Sequence, residues 1–292
     1  MHTHAESEIF SQPEIWRQVV ALHPVVETRL PQAGERVAFV GCGTSWFMSM
    51  AAAVRREERG QGESDAFTAS EFPHDREYDC VVAISRSGTT TEVADLLERL
   101  AGKRTVAITA VADSPVAQRA EGSIVLDFAD EKSVLQTRYA TAVLALLRTH
   151  FGEDLTLATE QCREMLDKDL DSALTSAEQI SFLGTGWTVG LAHEAALKTR
   201  ESAQFWAEAY PAMDYRHGPI SIAQAGRAVW ILGEPPAGLL DDIAATGATI
   251  ERSAIDPMAH LVYAQRVAIA ISQGRGLDPD NPRSLARSIV LT

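Results

Sequence analysis

The stretch that decides the fold is Cys80-Val-Val-Ala-Ile-Ser-Arg-Ser-Gly-Thr-Thr-Thr-Glu92. It begins as an apolar, β-branched run typical of a buried strand, and the run then breaks into hydroxyl residues around one glycine. Beyond Glu92 the apolar residues recur at three- and four-residue spacing, which predicts an amphipathic helix: Val93, Leu96, Leu97 and Leu100. The stretch therefore predicts a strand, a polar loop and a helix in succession.

The polar loop has the chemistry of an anion site. A helix begins with unpartnered backbone N–H groups and with the positive end of its dipole. The loop adds short hydroxyl donors beside them, at Ser85, Ser87, Thr89 and Thr90. A simpler interpretation is helix capping, because Thr89 and Glu92 have the spacing of a capping box. Taken alone, the loop leaves phosphate binding and capping equally open.

Length, composition and charge restrict the classes of function. The 292 residues suffice for one large or two ordinary domains, and 46% of them are hydrophobic, as in a globular protein. No apolar run approaches the roughly 20 residues that span a bilayer, and the acidic N-terminus lacks the features of a signal peptide. We therefore expect a cytoplasmic protein with no membrane partner.

The net charge of −14 argues against nucleic acid as a partner, because nonspecific binding to nucleic acid needs a cationic protein surface.

Strands and helices alternate along the first half of the chain. Such alternation predicts a parallel sheet covered by helices on both faces. The predicted elements are a leading helix over 9–30 interrupted at Pro24, strands at 37–40, 64–69, 104–110 and 123–128, and helices at 46–54, at 115–120, through Leu147 and over 155–178.

The pattern restarts in the second half. Ile180-Ser-Phe-Leu-Gly-Thr-Gly-Trp-Thr188 resembles Val37-Ala-Phe-Val-Gly-Cys-Gly-Thr-Ser45, since both have an apolar strand, Gly-x-Gly and hydroxyl residues before a helix. This self-similarity predicts two copies of one α/β unit, and a chance match of so short a motif is the alternative.

Neither Gly-x-Gly turn predicts a nucleotide cofactor. The dinucleotide fingerprint needs a third glycine three residues after the second, and this chain has Trp46 and Val189 at those positions. A metal site is not predicted either, because His193 and Glu194 do not form His-Glu-x-x-His and the sequence has no cysteine–histidine cluster. The sequence therefore predicts no cofactor and no metal.

Acidic and basic residues recur along the helix that follows the second Gly-x-Gly. Glu194, Lys198 and Glu201 are spaced by four and three residues, which places them on one helical face. That face is either a solvated ion pair or part of a site, because ligands collect at the carboxyl ends of strands in α/β sheets. Further along, His217 precedes Gly-Pro and is predicted to lie in a loop, where a structural and a catalytic role are both open.

Together these motifs resemble the sugar isomerase (SIS) family, and they are most similar to the isomerase half of glucosamine-6-phosphate synthase and its stand-alone deaminase and isomerase relatives. The motifs occur in the family's order from Val37 onward. They are Gly43-Thr-Ser45, Ser85-x-Ser-Gly-Thr-Thr90, Glu194-Ala-Ala-Leu-Lys198 with Glu201, Ala207-Glu-Ala-Tyr210, Arg216-His-Gly-Pro219 and Asn281-Pro-Arg-Ser-Leu-Ala-Arg-Ser288.

The resemblance implies a fold and a domain organisation. Two tandem SIS subdomains are expected, each a parallel sheet flanked by helices in a flavodoxin-like, three-layer α/β/α arrangement. An N-terminal helical segment at 1–34 would precede the first SIS domain at 35–152. The second SIS domain, at 153–292, would end in an active-site tail.

The resemblance also implies the ligand and the roles of individual residues. The ligand would be a phosphorylated sugar or amino sugar, and Glu201 would move a proton between C1 and C2 of its open-chain form. His217 would come from the neighbouring subunit of a homodimer with a shared active site and would assist ring opening. Lys198 and Arg287 complete the candidate catalytic set. The implied phosphate- and sugar-binding residues are Thr44, Ser45, Ser85, Arg86, Ser87, Thr90, Val134 and Gln136.

Two residues depart from the synthase pattern. Arg287 replaces a lysine, and arginine is a poor amine for a Schiff base or a proton shuttle, although its fork can hold a phosphate or a hydroxyl. Arg86 replaces an uncharged amide, and it either strengthens anion capture or pairs with a nearby carboxylate. Because no glutaminase motif precedes Val37, we expect chemistry that does not use glutamine.

Three functions remain open from the sequence. The leading hypothesis is an enzyme that isomerises a sugar phosphate or deaminates an amino sugar phosphate. The alternatives are a non-catalytic phosphosugar sensor and a deglycase acting on fructosamine phosphates, and the deglycase would share the enzyme's first step.

Overall fold

The computed structural model of the protein describes residues 3–291. Met1, His2 and Thr292, the ends of the predicted segments 1–34 and 153–292, lie outside the described residues. The strands are β1 (Val37–Gly41), β2 (Ser64–Thr68), β3 (Cys80–Ile84), β4 (Thr105–Thr109), β5 (Gly122–Val125), β6 (Ile180–Gly184), β7 (Ala207–Pro211), β8 (Ala228–Leu232) and β9 (Thr249–Arg252). The α-helices are α1 (His4–Phe10), α2 (Gln12–Val26), α3 (Thr44–Glu58), α4 (Thr91–Arg99), α5 (Pro115–Arg119), α6 (Arg138–His150), α7 (Thr156–Asp167), α8 (Ser172–Thr175), α9 (Thr188–Ala203), α10 (Leu239–Ala244) and α11 (Pro257–Gly274).

The strands form two parallel sheets. The first has five strands in the order β2-β1-β3-β4-β5, and the second has four in the order β7-β6-β8-β9. The two orders are the same apart from β5, so the internal repeat predicted from the two Gly-x-Gly turns is confirmed. The predicted α/β class, with each parallel sheet flanked by helices in three layers, is confirmed as well.

The residues group into two compact units. The first-sheet unit consists of Glu14–Glu131, Arg138–Leu155 and Ala286–Thr292, and the second-sheet unit consists of Met1–Pro13, Lys132–Thr137 and Thr156–Leu285. The start of the chain therefore belongs with the second sheet and its end with the first. The sequence pattern did not predict this exchange of terminal segments.

Helices cover both faces of the first sheet. Val93, Leu96 and Leu97 of α4 and Val116 of α5 pack with inward-facing strand residues in one buried cluster. On the other face α3 packs against β1 and β2 and also against α6. The central strands β1, β3 and β4 are buried along their whole length, which explains their continuous apolar sequence.

The second sheet has the same layered construction. One face forms a cluster with Leu239 and Ile243 of α10. On the other face α9 and α11 pack against the strands and against each other, and the Trp230 ring of β8 lies 5.4 Å from the ring of Tyr263 on α11. The strand ends of both sheets are therefore held in position by buried helices.

Two predicted helices differ from those in the structure. The leading helix is divided at Ser11 into α1 and α2, and Pro24 lies inside α2 without ending it. The predicted helix over 155–178 is divided into α7 and α8, because Asp171 accepts a hydrogen bond from Ala173 and begins a new helix. Among residues 3–291, no helix has both the length and the apolar character needed to cross a membrane.

Glu153 joins α3 to α6 within the first-sheet unit. Its carboxylate accepts hydrogen bonds from Arg55 Nε and Nη2, both at 2.8 Å, and from Arg148 Nη2 at 3.0 Å. Burial alone would raise the pKa of Glu153, but hydrogen bonds and charge from the two arginines outweigh it and lower the pKa to about 2. The unfolded carboxylate therefore takes up a proton at higher pH than the folded one.

This difference predicts an acid-sensitive contribution to stability. The contribution is complete above the ordinary glutamate pKa of 4.5 and disappears as the pH falls toward 2. Between about pH 5 and about pH 3 we expect the wild type to lose roughly 1–2 kcal/mol more unfolding free energy than Glu153→Gln, after allowance for solvent screening. Urea unfolding at the two pH values measures the difference, and equal losses would show that the cluster does not stabilise the fold.

Candidate active site

A polar loop at residues 85–90 joins the end of β3 to the start of α4. Gly88 in this loop has left-handed backbone geometry, with φ +64°. A Cβ at Gly88 would lie 2.0 Å from Ser114 Oγ and 2.3 Å from Ser114 Cβ, so only glycine fits there. The carbonyl of Gly88 also accepts a hydrogen bond of 2.9 Å from the Val116 N–H. The loop is thereby fixed against the start of α5.

The side chains of the loop hydrogen-bond to one another. Ser85 Oγ lies 3.3 Å from Thr90 Oγ1 and accepts a bond of 3.2 Å from the Gly88 N–H. Ser87 Oγ accepts from the N–H and the hydroxyl of Thr89, at 3.2 and 3.1 Å. This group of hydroxyl and N–H donors precedes the first turn of α4, where the helix dipole favours a negative charge.

The capping interpretation of Thr89 is wrong. The N-cap of α4 is Thr90, and the Thr90 side chain makes no capping hydrogen bond. Thr89 Oγ1 instead donates to Ser87 Oγ and lies 2.8 Å from Ser288 Oγ. Helix capping therefore does not explain why hydroxyl residues are concentrated in this loop.

A second hydroxyl turn follows β1. Gly43 has φ +55°, and α3 begins directly after it with Thr44 and Ser45, both of them buried. Strands β1 and β3 are neighbours, and the strand order reverses between them. Ligands of open α/β sheets bind at such a reversal. Five of the predicted phosphate ligands therefore lie on the two segments beside it, namely Thr44, Ser45, Ser85, Ser87 and Thr90.

Cys42 lies in the same turn after β1 and is not an activated nucleophile. Burial raises the pKa of its thiol, a hydrogen bond with the Ala69 backbone opposes the rise, and the charge of Glu92 adds to it. A thiol with a raised pKa is protonated near neutrality and reacts slowly. The turn therefore offers hydrogen-bond donors rather than covalent chemistry.

Arg86 is buried and pairs with a buried carboxylate. Its Nη1 lies 3.4 Å from Glu131 Oε2, and the two side chains are 1% and 0% exposed. Glu131 Oε1 also accepts a hydrogen bond of 2.9 Å from the Arg138 N–H at the start of α6. Of the two roles open from the sequence, pairing with a nearby carboxylate is the one that the structure shows.

Residues 286–291, here called the C-terminal tail, pack onto the start of α4. The Thr91 N–H donates to the Ile289 carbonyl at 3.1 Å, and the Leu291 N–H donates to Thr91 Oγ1 at 2.9 Å. Arg287 Nη2 donates to both carboxylate oxygens of Asp130, one of them at 2.7 Å. The structure therefore places Arg287 in an ion pair with Asp130.

The acidic and basic residues of α9 share one face, as their spacing predicted. Lys198 Nζ donates to the Glu201 carboxylate and lies 3.7 Å from Glu194 Oε1. Glu194 and the Lys198 side chain are almost fully buried, whereas the Glu201 side chain is 18% exposed. The Lys198 ammonium is buried and lies between two carboxylates, so this cluster is not a solvated surface ion pair. Of the two acids, Glu201 is the one that a ligand can reach.

His217 ends a short 3₁₀-helix, Asp214–His217, and is exposed. The predicted loop is therefore a tight helical turn followed by Gly218 at φ +132°. The neighbouring Arg216 fixes this turn, because its Nε donates to Asp242 at 2.7 Å and its Nη2 to the Ala237 carbonyl at 2.8 Å. His217 is thus presented outward on a rigid turn.

The predicted sugar-lining residues Val134 and Gln136 lie in the segment 132–137 of the second-sheet unit. The Val134 N–H donates to the Asp280 carbonyl at 3.0 Å. The Asp280 carboxylate in turn accepts from the first N–H groups of α1, at 2.7 and 2.8 Å. Gln136 is half-buried, and its Oε1 has no hydrogen-bond partner among the described residues.

Glu8 of α1 holds the same segment and was not identified from the sequence. Its buried carboxylate accepts hydrogen bonds from the N–H of Lys132 and from the N–H and the hydroxyl of Ser133. The only available signal was a charged residue within an otherwise apolar helical face, and this does not reveal a partner more than a hundred residues away.

Loss of Glu8 is expected to destabilise the protein strongly. Glu8→Ala leaves two backbone N–H groups and a hydroxyl buried without their charged acceptor, which costs about 2–4 kcal/mol. Urea unfolding measures this loss. Glu14→Ala is the matched control, because Glu14 is exposed and contacts the exposed side chains of Arg17 and Gln18, so its removal is expected to cost less than about 1 kcal/mol. Similar losses in both variants would remove the anchoring role from Glu8.

Among residues 3–291, no group of three His, Cys, Asp or Glu side chains is arranged to hold a metal ion. The first-sheet unit has hydroxyls and backbone N–H groups after β1 and β3, and these can bind an anion. The second-sheet unit has the acid–base cluster on α9, whose carboxylate can accept a proton from a carbon acid.

Comparison with known proteins gives a family match for part of the chain. Residues 30–151, which include both hydroxyl turns, match the family model of the SIS domain. The chain therefore contains an SIS domain, and the resemblance stated from the sequence is confirmed.

Individual relatives agree with this assignment. The chain is 29% identical over 296 residues to the glutamine–fructose-6-phosphate aminotransferase (isomerizing) of Sulfurisphaera tokodaii, an alignment that covers 88% of this chain and 50% of that protein. The chain thus spans about half the length of the curated relatives it matches.

Solved structures share the fold over almost the whole chain. Glucosamine-6-phosphate deaminase from Thermotoga maritima superposes with a TM-score of 0.84 at 23% identity, covering 99% of this chain and 100% of that one. Tagatose-6-phosphate ketose/aldose isomerase from Escherichia coli gives a TM-score of 0.78 at 20% identity, covering 98% and 97%. At these identities the likeness establishes the fold alone.

Proposed function

We propose that this protein is an enzyme that isomerises a phosphorylated sugar between its aldose and ketose forms, or deaminates an amino sugar phosphate through the same proton transfer. The observation that carries the proposal is the rigid hydroxyl loop at Ser85–Thr90 inside the matched SIS domain. The names of the relatives, which include a phosphosugar isomerase and a deaminase, support it.

The substrate's phosphate is assigned to the hydroxyl segments of the first-sheet unit. Thr44, Ser45, Ser85, Ser87 and Thr90 supply short donors, and the starts of α3 and α4 supply backbone N–H groups and dipoles. The phosphate takes no part in the chemistry. It anchors the sugar so that the reacting carbons are positioned before reaction, which removes much of the entropic barrier.

Proton transfer is assigned to Glu201. In the open-chain sugar its carboxylate removes the proton on C2 as the C1 carbonyl oxygen gains negative charge and takes up a proton, which gives the enediol. The carboxyl then returns its proton to C1 while the hydroxyl on C2 loses its own proton and becomes the ketose carbonyl. Lys198, which contacts Glu201, supplies a positive charge that stabilises the developing oxyanion. When C2 of the aldose substrate carries an amino group, the same transfer gives an imine at C2, and addition of water to this imine releases ammonia and leaves the ketose phosphate.

A panel of sugar phosphates in deuterated water tests this proposal. Glucosamine 6-phosphate, fructose 6-phosphate and tagatose 6-phosphate are incubated with the protein, and proton NMR follows loss of the C1 and C2 protons while a coupled assay follows ammonia. Exchange without ammonia indicates an isomerase, and exchange with ammonia indicates a deaminase. Binding without exchange on every sugar would contradict the enzyme and leave the phosphosugar sensor. Fructosamine 6-phosphates carrying an amino acid test the deglycase, which would release the amino acid.

We further propose a homodimeric, cytoplasmic enzyme in which His217 serves the neighbouring subunit's substrate. The exposed position of His217 on a rigid turn supports this assignment. Cys42, Cys80 and Cys162 are free thiols, as is usual in a reducing compartment.

Mixed dimers test the shared site. Glu201→Gln and His217→Gln are each expected to be inactive alone, but co-expressed subunits should regain roughly a quarter of wild-type activity, because half of the dimers then contain one complete site. Activity is measured on whichever phosphosugar the wild type converts. A mixture that stays inactive would place His217 and Glu201 in the site of the same subunit.

A further inference from the structure

Arg86 and Arg287 stand at the two positions where the sequence departs from the synthase pattern, and their contacts meet at the adjacent acidic residues Asp130 and Glu131. Arg86 Nη1 lies 3.4 Å from the Glu131 carboxylate. Arg287 donates to the Asp130 carboxylate and also to the Glu131 carbonyl. Two ion pairs, Arg86–Glu131 and Arg287–Asp130, therefore connect the hydroxyl loop to the C-terminal tail through the adjacent residues 130 and 131. All four residues belong to the first-sheet unit.

We infer that Asp130–Glu131 is a positioning centre that holds the hydroxyl loop through Arg86 and latches the C-terminal tail through Arg287. On this inference Arg287 acts as a latch and replaces the catalytic role predicted for it from the sequence. A second consequence is that the latch strengthens phosphate binding, and only this consequence rests on the proposed function.

The geometry of Arg287 suits a latch. Its Nη2 donates to both oxygens of the Asp130 carboxylate while its Nη1 donates to the Glu131 carbonyl, so one planar guanidinium holds two groups at once, which the single nitrogen of a lysine cannot reproduce. The Arg287 and Asp130 side chains are 39% and 35% exposed, so the pair is accessible to solvent and can open without unfolding the core.

The latched tail restrains the threonines that end the hydroxyl loop. Ser288 contacts Thr89, and Ile289 and Leu291 both bond to Thr91. Between these two threonines lies Thr90, which contacts Ser85 across the loop. A tail that is held in place therefore limits the conformations of the phosphate-binding donors, and a site ordered in advance binds its ligand with a smaller entropic cost.

Arg86 supports the same loop from its buried side. Its backbone carbonyl accepts hydrogen bonds from the Ala110 N–H at 3.1 Å and from Thr109 Oγ1 at 3.3 Å. Its side chain is fixed by Glu131, which the start of α6 holds in turn. Arg86 is thus held through both its backbone and its side chain, and this fixes the loop between Ser85 and Ser87.

Hydrogen exchange of the tail tests the latch. In Arg287→Lys and in Asp130→Asn, amide exchange of residues 286–291 should rise about 3- to 10-fold, the range expected from weakening a partly exposed ion pair. The double variant should rise by less than the product of the two single increases, because the two side chains share one ion pair. Arg283→Lys is the matched control: Arg283 is exposed in the preceding stretch, and no rise is expected.

Salt distinguishes an ionic latch from a packing effect. In the wild type, raising sodium chloride to about 0.5 M should increase tail exchange, since exposed ion pairs are screened. In Asp130→Asn the same salt should have no further effect. Three results would each overturn the latch. They are tail exchange unchanged in both single variants, single-variant increases that combine fully in the double variant, and a salt dependence in Asp130→Asn equal to that of the wild type.

Calorimetric titration with inorganic phosphate tests the coupling to the loop. Arg287→Lys should weaken phosphate binding about 2- to 5-fold. The double variant Arg86→Gln/Glu131→Gln, which avoids leaving a lone buried charge, should weaken phosphate binding about 5- to 10-fold at unchanged thermal stability. Unchanged or tighter binding in both would overturn the coupling. If the wild type binds no phosphate, the proposed phosphate site fails and the coupling fails with it, whereas tail exchange still decides the latch.

Discussion

Glu201→Gln is expected to abolish turnover while leaving substrate binding nearly intact. The variant keeps the size and hydrogen-bonding capacity of the side chain but cannot accept a proton from carbon at neutral pH. A positioned general base contributes roughly 10²- to 10⁴-fold to the rate, so we expect kcat to fall at least about 10³-fold. Deuterium exchange at C2 should fall by the same factor, since exchange reports the proton transfer itself.

Two further measurements separate this catalytic effect from a structural one. Lys198 donates to Glu201, and glutamine can still accept that bond while the Glu194 carboxylate stays beside Lys198, so the free energy of unfolding should fall by about 1–3 kcal/mol and the variant should remain folded. Inorganic phosphate should bind within about 2-fold of the wild type, because phosphate is assigned to other residues. Glu164→Gln on α7 is the matched control, as Glu164 is exposed and should retain full activity. Full C2 exchange in Glu201→Gln would show that another group is the base.

Local sequence patterns predicted the parts of the fold that local interactions determine. The apolar run at 80–84 and the three- to four-residue spacing after Glu92 gave the correct order of strand, loop and helix. The repeated Gly-x-Gly predicted two equivalent units because glycine is required where β1 and β6 turn into their helices. A Cβ at Gly41 would lie 2.7 Å from Ser45, and one at Gly184 would lie 2.3 Å from the Thr188 carbonyl oxygen.

The contacts that the sequence did not reveal join residues far apart in the chain. Glu8 with Ser133, Asp280 with the start of α1, and Arg287 with Asp130 each pair a charged side chain with a partner at least about a hundred residues away. Periodicity reports which face of an element is buried, but it does not report which charge meets which. The same limit explains Thr89, whose spacing to Glu92 matched a capping box although its hydroxyl bonds elsewhere.

Gly88→Ala is expected to disable phosphate binding, because position 88 tolerates no side chain. The left-handed backbone costs an alanine about 1–2 kcal/mol, and the added methyl group overlaps Ser114, which costs a further 1–3 kcal/mol or so in a packed site. The loop relieves this strain by moving, and its hydroxyls then lose their arrangement. We expect phosphate affinity, measured by calorimetry, to fall roughly 10- to 100-fold.

Two matched variants isolate the overlap as the cause. Gly102→Ala introduces the same methyl group at φ +85° in the turn after α4, where nothing lies within 4 Å, so it should cost only the backbone strain and leave phosphate binding unchanged. Gly88→Ala/Ser114→Gly removes both overlapping atoms, at the cost of a few tenths of a kcal/mol for the altered N-cap of α5. Thr109 Oγ1, 3.0 Å from the new methyl group, limits this rescue to part of the lost affinity. If the double variant binds phosphate no better than Gly88→Ala while remaining folded, the arrangement of the loop does not depend on its contact with Ser114.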